Sequence, residues 1–75
     1  MATVAVENYL KHVLLLSEGG EELVSMGDLA GALAVVPGTA TAMVKALADE
    51  GLLEHQPRLG VRLTTRGRRI ALNVL

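Results

Sequence analysis

The 75-residue chain is the size of one small domain, and it contains no cysteine, phenylalanine or tryptophan. Hydrophobic residues make up 51% of it, so its core must be aliphatic. The lack of cysteine excludes disulfides and thiolate metal sites. No apolar run is long enough to span a bilayer, and the N-terminus lacks the pattern of a signal peptide. We therefore expect a cytoplasmic domain with no membrane association.

The net charge of −1 conceals an uneven distribution of charge along the chain. Residues 1–36 hold one basic and five acidic residues, whereas residues 37–75 hold six basic and three acidic residues. This pattern predicts an acidic face and a basic face. Five of the six basic residues in the second half are arginines, whose planar guanidinium can bind two phosphate oxygens at once. Solvated surface charge is an equally good interpretation of the charge pattern alone.

The first predicted element is a helix that Thr3 caps and that runs to about Ser17. Gly19-Gly20 is predicted to end it, and residues 21–24 form a loop that can include a short extended piece. The apolar residues at helical spacing that predict its buried stripe are Tyr9, Leu10, Val13, Leu14 and Leu16.

Two further helices are predicted between residues 25 and 50, with a turn over residues 34–37 between them. Ser25 followed by Asp28 has the form of a capping box at the start of the second helix. Pro37 is favoured at the first position of the third helix, and Gly51 supplies a left-handed residue after its end. The residues predicted to face inward are Leu29, Ala30 and Leu33 on the second helix and Ala40, Val44 and Leu47 on the third, with Met43 partly so.

The last third of the chain predicts a β-hairpin and a final helix. Residues 52–56 and 61–64 are predicted strands around a turn at 57–60. Thr64 or Thr65 caps a helix whose apolar residues are Ile70, Ala71, Val74 and Leu75. The order helix-helix-helix-strand-strand-helix is that of a winged helix-turn-helix, a mainly α fold with a two-stranded wing. We expect a single domain over residues 1–75, with the helix-turn-helix at about 25–50 and the wing at about 52–64.

A fold of this class places its third helix in the major groove of duplex DNA, so outward residues near the start of that helix are candidate contacts. Threonine hydroxyls can bind phosphate or a base edge, and a threonine or alanine methyl can pack on a thymine methyl. A lysine can bind phosphate or guanine. Ordinary helix-start residues are the alternative interpretation. The candidates are Pro37, Gly38, Thr39, Thr41, Ala42 and Lys45. Because the row has no Arg, Gln or Asn, we expect modest sequence specificity.

Arginines outside the third helix are the other candidate DNA contacts. Arg58 at the predicted hairpin tip and Arg62 on the returning strand suit phosphate or a narrow minor groove. The alternative is solvent exposure, with Arg62 loosely paired to Glu54. Arg66, Arg68 and Arg69 are predicted in the first turns of the last helix, where the helix dipole disfavours cations. Phosphate contact and poor local optimisation both explain that placement.

No combination of residues predicts an enzyme or a small-molecule substrate. The sequence offers no Ser-His-Asp or Cys-His set and no glycine-rich phosphate loop. His12, on the first helix among apolar neighbours, is expected to be a partly buried, hydrogen-bonded histidine rather than a metal ligand.

Three segments together resemble the N-terminal DNA-binding domain of the diphtheria-toxin-repressor family. They are VENYLKHVLLLSE, VSMGDLAGALAVVPGTATAMVKALADEGLLEH and RLGVRLTTRGRRIAL. The resemblance implies a homodimer that binds a palindromic operator when loaded with divalent iron or manganese. It also implies a metal ligand on the first helix directly before the tyrosine, where the family has Met or Asp and this chain has Asn8. The manganese sensors add a Glu two residues after the tyrosine, where this chain has Lys11.

From these residues we expect no cofactor in this chain, with Asn8 only a weak candidate ligand. Iron or manganese would bind only if a longer native chain supplied ligands. The leading hypothesis is a sequence-specific transcriptional regulator, a repressor, that binds duplex DNA as a homodimer. An exposed Leu15 and an apolar end to the last helix predict that these two helices form the dimer contact. The alternative is a winged-helix module that binds protein and not DNA.

Overall fold

The computed structural model describes residues 3–18 and 22–74, which form four helices and one two-stranded antiparallel sheet. The predicted winged helix-turn-helix is confirmed. Gly19-Gly20, Glu21 and Leu75, which the sequence analysis placed in a helix break, a loop and the last helix, lie outside the described residues. In chain order the elements are α1 (Val4–Leu16), α2 (Met26–Leu33), α3 (Pro37–Asp49), β1 (Leu53–Gln56), β2 (Gly60–Leu63) and α4 (Thr65–Asn73).

Three of the four helices begin at a hydroxyl cap that the sequence predicts. The side chains of Thr3, Ser25 and Thr64 each accept a hydrogen bond from the amide three residues on, at 3.1–3.2 Å. Such caps satisfy amides that have no partner within the helix. Thr64, and not Thr65, is therefore the cap of α4. α3 has no side-chain cap and begins at Pro37, whose fixed φ suits a first helical position.

Apart from the buried Tyr9, the core is aliphatic, and it draws on every helix and both strands. α1 packs against α2, α4 and β2, while α3 packs against α2 and β1. The inward residues predicted for α3 are buried, and of those predicted for α2 only Leu33 remains partly exposed. The largest fully buried side chains are Leu10, Leu29, Leu47, Val13, Val44 and Val61.

The prediction that Leu16 of α1 belongs to the core is wrong. Leu16 is 40% exposed, and the buried position at the end of this helix belongs to Ser17. The stripe through Leu10, Val13 and Leu14 continues with helical spacing to Ser17, about 100° around the axis from Leu16. Ser17 is polar, but its hydroxyl donates to the carbonyl of Leu14 at 3.1 Å, which satisfies it in the core.

The segment before α2 is joined to the wing. Val24 and Val61 exchange two backbone hydrogen bonds, of 2.7 and 2.9 Å, so the predicted extended piece forms an isolated antiparallel β-bridge to β2. Gly60 begins β2 with φ +136°, and a Cβ there would collide with the carbonyl of Val24. The approach of these two segments therefore requires glycine at this position.

The turn between α2 and α3 sets the angle of the helix-turn-helix. Ala34 adopts a left-handed conformation with φ +58°, and the amide of Val35 donates to Ala30 at 3.1 Å. α2 and α3 are consequently bent by 106° relative to each other. In the described part of the chain no single helix is long and apolar enough to cross a membrane, and only this bent pair taken together meets that length and composition.

The end of α3 is held by the start of α4. Gly51 is left-handed, with φ +78°, as predicted, and its carbonyl accepts a 2.6 Å hydrogen bond from the Thr64 hydroxyl. The next carbonyl, that of Leu52, accepts from the Thr64 amide at 3.2 Å. Gly67, in the first turn of α4, is buried against this same Leu52 carbonyl, a contact that the sequence analysis missed.

We predict that Gly67→Ala destabilises the domain by about 1–3 kcal/mol, because its Cβ would overlap the Leu52 backbone and force α4 away. Urea denaturation followed by circular dichroism measures this loss. Gly31→Ala, on α2, is the matched control, since apart from its chain neighbours and the backbone of its own helix no described atom lies within 4 Å of its added Cβ. This control should retain or gain stability. Equal midpoints for Gly67→Ala and the wild type would contradict the packing described for α4.

Candidate nucleic-acid interface

The face of α3 that points away from the core carries the candidate contacts predicted for this helix. Ala40, Val44 and Leu47 are buried on the opposite face. Thr41 is half-buried, and the other candidates are exposed. The exposed candidates on the helix are Pro37, Gly38, Thr39, Ala42 and Lys45. Their accessibility is as predicted, while their contact with DNA stays a prediction.

The outward face of α3 has two chemically different sides. At about 100° per residue, Thr39, Met43 and Ala46 lie on one side of Ala42, whereas Thr41 and Lys45 lie on the other. The first side forms an open groove of about 540 Å³. The groove is lined by Gly38, Thr39, Ala42, Met43 and Ala46, and we call it the methyl groove. Sequence reasoning missed Ala46, although Gly38, Ala42 and Ala46 repeat every four residues.

The N-terminal end of α3 favours negative charge. The amide N–H groups of Thr39 and Ala40 both donate to the carbonyl of Val36, and Pro37 has no backbone N–H group. Within the described ranges the amide of Gly38 has no hydrogen-bond acceptor. Because the helix dipole is positive at this end, the start of α3 is an electrostatically suitable neighbour for a DNA phosphate.

Arg58 lies at the tip of the wing, as predicted. It is exposed and left-handed, with φ +69°, in the turn that the 3.0 Å hydrogen bond from Leu59 to Gln56 closes. Among residues 3–18 and 22–74 it forms no ion pair. Leu59 beside it is 64% exposed. The tip therefore presents one unneutralised cation on a short hairpin.

Arg62 is paired with Glu54 across the wing. Its Nη2 lies 3.0 Å from Oε2 of Glu54, directly opposite in the register of β1 and β2. Gln56 donates to the same carboxylate oxygen. The Gln56 hydrogen bond, followed by that of Arg62, lowers the pKa of Glu54 below its ordinary value. The carboxylate therefore remains ionised, and a phosphate contact by Arg62, which stays a prediction, would compete with this exposed pair.

The arginines of α4 occupy different environments. Arg66 donates from Nη1 to the carbonyl of Glu50 at the end of α3, at 3.2 Å. This contact compensates for its unfavourable place at the start of α4, because a cation is stabilised at a helix C-terminus. Arg68 and Arg69 are exposed, and within the described part of the chain neither has an ion-pair partner. These two remain available to an external anion.

Comparison with known proteins identifies the family of this domain. Residues 1–61 match the sequence model of a family described as the iron dependent repressor, N-terminal DNA binding domain. The chain belongs to this family. It is 37% identical over 71 residues to the HTH-type transcriptional regulator MntR of Bacillus subtilis and to that of Bacillus velezensis. The alignment covers 93% of this chain and 49% of each relative, so the chain spans about half the length of these regulators.

Solved structures of regulators share the fold. The reduced form of MarR from E. coli is 26% identical, with a TM-score of 0.80, over 96% of this chain and 50% of that one. IdeR from T. acidophilum is 27% identical, with a TM-score of 0.74, over 95% of this chain and 33% of that one. The family match and these neighbours support DNA binding, and they offer no support for a module that binds protein alone.

The metal-binding expectation of the iron dependent repressor family can be tested on α1. Asn8 and Lys11, at the positions where the resemblance implies ligands, line a pocket of about 160 Å³ beside the end of α4. Among the residues that the structure describes, Glu7 supplies the only carboxylate of this pocket, and Val4 and Val74 complete its lining. Divalent iron favours imidazole and carboxylate ligands, manganese favours carboxylate and other oxygen ligands, and an ammonium group repels both cations. This set of side chains does not fit a divalent cation.

His12 forms a hydrogen bond within α1. It is half-buried, and its Nδ1 donates to the backbone carbonyl of Asn8 at 2.7 Å, one helical turn away. The predicted role of a hydrogen-bonded histidine is confirmed. Among the residues that the structure describes, no three His, Cys, Asp or Glu side chains form a cluster that could hold a metal ion.

Proposed function

We propose that this chain is the DNA-binding head of a transcriptional repressor, and that it binds duplex DNA as a homodimer in the cytoplasm. The observation that carries the proposal is the outward face of α3, with small residues around Ala42 and a lysine, in a chain of the iron dependent repressor DNA-binding family. The family consists of transcriptional regulators, and we assign this chain neither a catalytic activity nor a small-molecule substrate.

The geometry supports different roles for α3 and the wing in DNA binding. Because Gly38 has no side chain and that of Ala42 is a single methyl group, α3 can approach the bases closely. Lys45 can bind phosphate or guanine. Because Lys45 is the only basic residue on α3, most of the electrostatic attraction must come from elsewhere. Arg58 at the wing tip supplies part of it through phosphate or the minor groove, and the exposed Arg68 and Arg69 of α4 supply the rest.

Exposed leucines support dimerisation through α1 and α4. Leu15 on α1 is 56% exposed and Leu72 on α4 is 53% exposed, although the two helices pack against each other. A domain of this size buries only roughly 60–65% of its unfolded surface, so a second copy that covers these leucines would add useful stability. A dimer would place two α3 helices in major grooves about 34 Å apart, or a multiple of that spacing.

We also propose that α1 provides no site for iron or manganese and that DNA binding by this domain does not require metal there. The support is the chemistry of the pocket, in which Lys11 places a positive charge beside Asn8 and Glu7, and Glu7 is the one carboxylate among the described lining residues. A metal response would require ligands from a longer native chain.

The DNA-binding proposal predicts a strong salt dependence with random-sequence duplex DNA. The logarithm of affinity should fall with the logarithm of salt concentration by about 0.9 for each phosphate neutralised. Arg58→Ala should lower that slope by about one and weaken binding to all sequences alike. Lys11→Ala, which removes a cation from α1, is the control and should keep the slope. Fluorescence anisotropy measures these affinities, and a flat or absent response would refute DNA binding by this chain.

The dimer proposal predicts self-association at micromolar concentration in sedimentation velocity. Leu15→Lys should weaken association at least about tenfold, because each copy loses a leucine that the interface buries. Leu59→Lys makes the same change at an exposed leucine of the wing and should leave association intact. A wild-type protein that sediments only as a monomer would refute the proposed contact.

The metal proposal predicts that the wild type does not bind manganese at micromolar concentration. The electron paramagnetic resonance signal of free Mn²⁺ provides the measurement. The double variant Asn8→Asp/Lys11→Glu should acquire binding, because it adds two carboxylates beside Glu7 and removes the ammonium. Lys11→Ala removes the same charge without adding a ligand and should remain inactive. Micromolar binding by the wild type would contradict the proposal.

A further inference from the structure

The methyl groove differs in chemistry from the rest of the outward face of α3. Apart from the hydroxyl of Thr39, its lining side chains, Ala42, Met43 and Ala46, offer no hydrogen-bond donor. The other side chains of this face that are able to bind phosphate or a polar base edge, Thr41 and Lys45, lie on the other side of the helix. The groove therefore cannot read a base by the paired hydrogen bonds that Arg, Asn or Gln would form.

One occupant in the major groove matches this chemistry. Thymine alone among the four bases carries a methyl group at its major-groove edge, and apolar side chains recognise it by contact. The groove is continuous with the start of α3, where the helix dipole favours phosphate, so DNA rather than an apolar protein segment is the occupant that fits its surroundings.

We propose that the methyl groove gives this domain its sequence preference by packing the methyl groups of Thr39, Ala42 and Ala46 against the 5-methyl groups of thymines. The inference rests on the proposed DNA binding and adds to it a class of sequence. Burial of one methyl-sized group is equivalent to about a fourfold change in affinity, so each contacted thymine contributes modestly. Preference then arises from several thymines together rather than from one bidentate contact.

Deoxyuridine provides a direct test, because it removes only the 5-methyl group and leaves base pairing and charge unchanged. Sites selected by the 75-residue chain from a random duplex library would be resynthesised with deoxyuridine at one thymine at a time. We expect at least one position in each half-site where the substitution weakens binding about fourfold, and larger losses when such positions are combined.

Two matched variants assign the effect to one side of α3. Thr39→Ser removes a methyl from the methyl groove and retains the hydroxyl, so the difference between thymine and deoxyuridine at the contacted position should shrink towards zero. Thr41→Ser makes the same change on the opposite side and should retain the full difference. Both sites are outside the buried core, and circular dichroism melts of each variant establish that it is folded.

The outcomes separate this inference from the function on which it rests. Equal affinity for every deoxyuridine-substituted site, or no preference among selected sequences, would overturn thymine recognition while leaving DNA binding in place. A thymine difference that Thr39→Ser leaves unchanged at every position would overturn the contact assigned to Thr39. No salt-dependent binding to any duplex would overturn the proposed function itself.

Discussion

The position of the recognition helix depends on the hydrogen bonds that Thr64 forms between the end of α3 and the start of α4. Its hydroxyl donates to the carbonyl of Gly51 and accepts from the amide of Gly67, and its own amide donates to Leu52. One residue thereby caps α4, satisfies a carbonyl after α3 and closes the wing. Since β1 and β2 lie between these two helices in the chain, the wing is held in a fixed relation to α3.

The same junction determines what the arginines of α4 can do. Arg66 is directed back to the carbonyl of Glu50, which makes it part of the support for α3. Arg68 and Arg69 follow on the exposed side of α4, and the adjacent wing contains an ionised Glu54 next to Arg62. The positive charge available to DNA is therefore smaller than the arginine count implies. It is concentrated at Lys45, Arg58 and these two residues of α4.

Sequence reasoning was reliable where the cause of the structure is local. Caps at Thr3 and Ser25, the start of α3 at Pro37 and the left-handed Gly51 follow from residues within one turn of each position. The misplaced Leu16 shows the limit of this approach, because a polar Ser17 fills the core position that an apolar pattern assigns to a leucine. A serine can do so only because its hydroxyl finds the Leu14 carbonyl.

Features that depend on distant segments could not be read from the pattern. The pairing of Val24 with Val61 and the packing of Gly67 on Leu52 join residues that are 15 or more positions apart. In the candidate site, too, one feature could be predicted from local periodicity and another could not. The outward row of α3 followed from helical periodicity, but the split into a polar side and a methyl groove required the exposed Ala46 and half-buried Met43.

Charged and apolar side chains lie on different parts of the domain, so we assign DNA affinity and sequence specificity to different surfaces. Under the proposed function, long-range attraction comes from the exposed cations at the wing tip and on α4, and it acts on phosphates without regard to sequence. The methyl groove, to which we assign selective contact, is mainly apolar and would discriminate weakly for any single base. A single domain of this kind distinguishes sites poorly, whereas a dimer applies the same weak preference twice at a fixed spacing. The exposed leucines of α1 and α4 therefore bear on specificity as much as on stability.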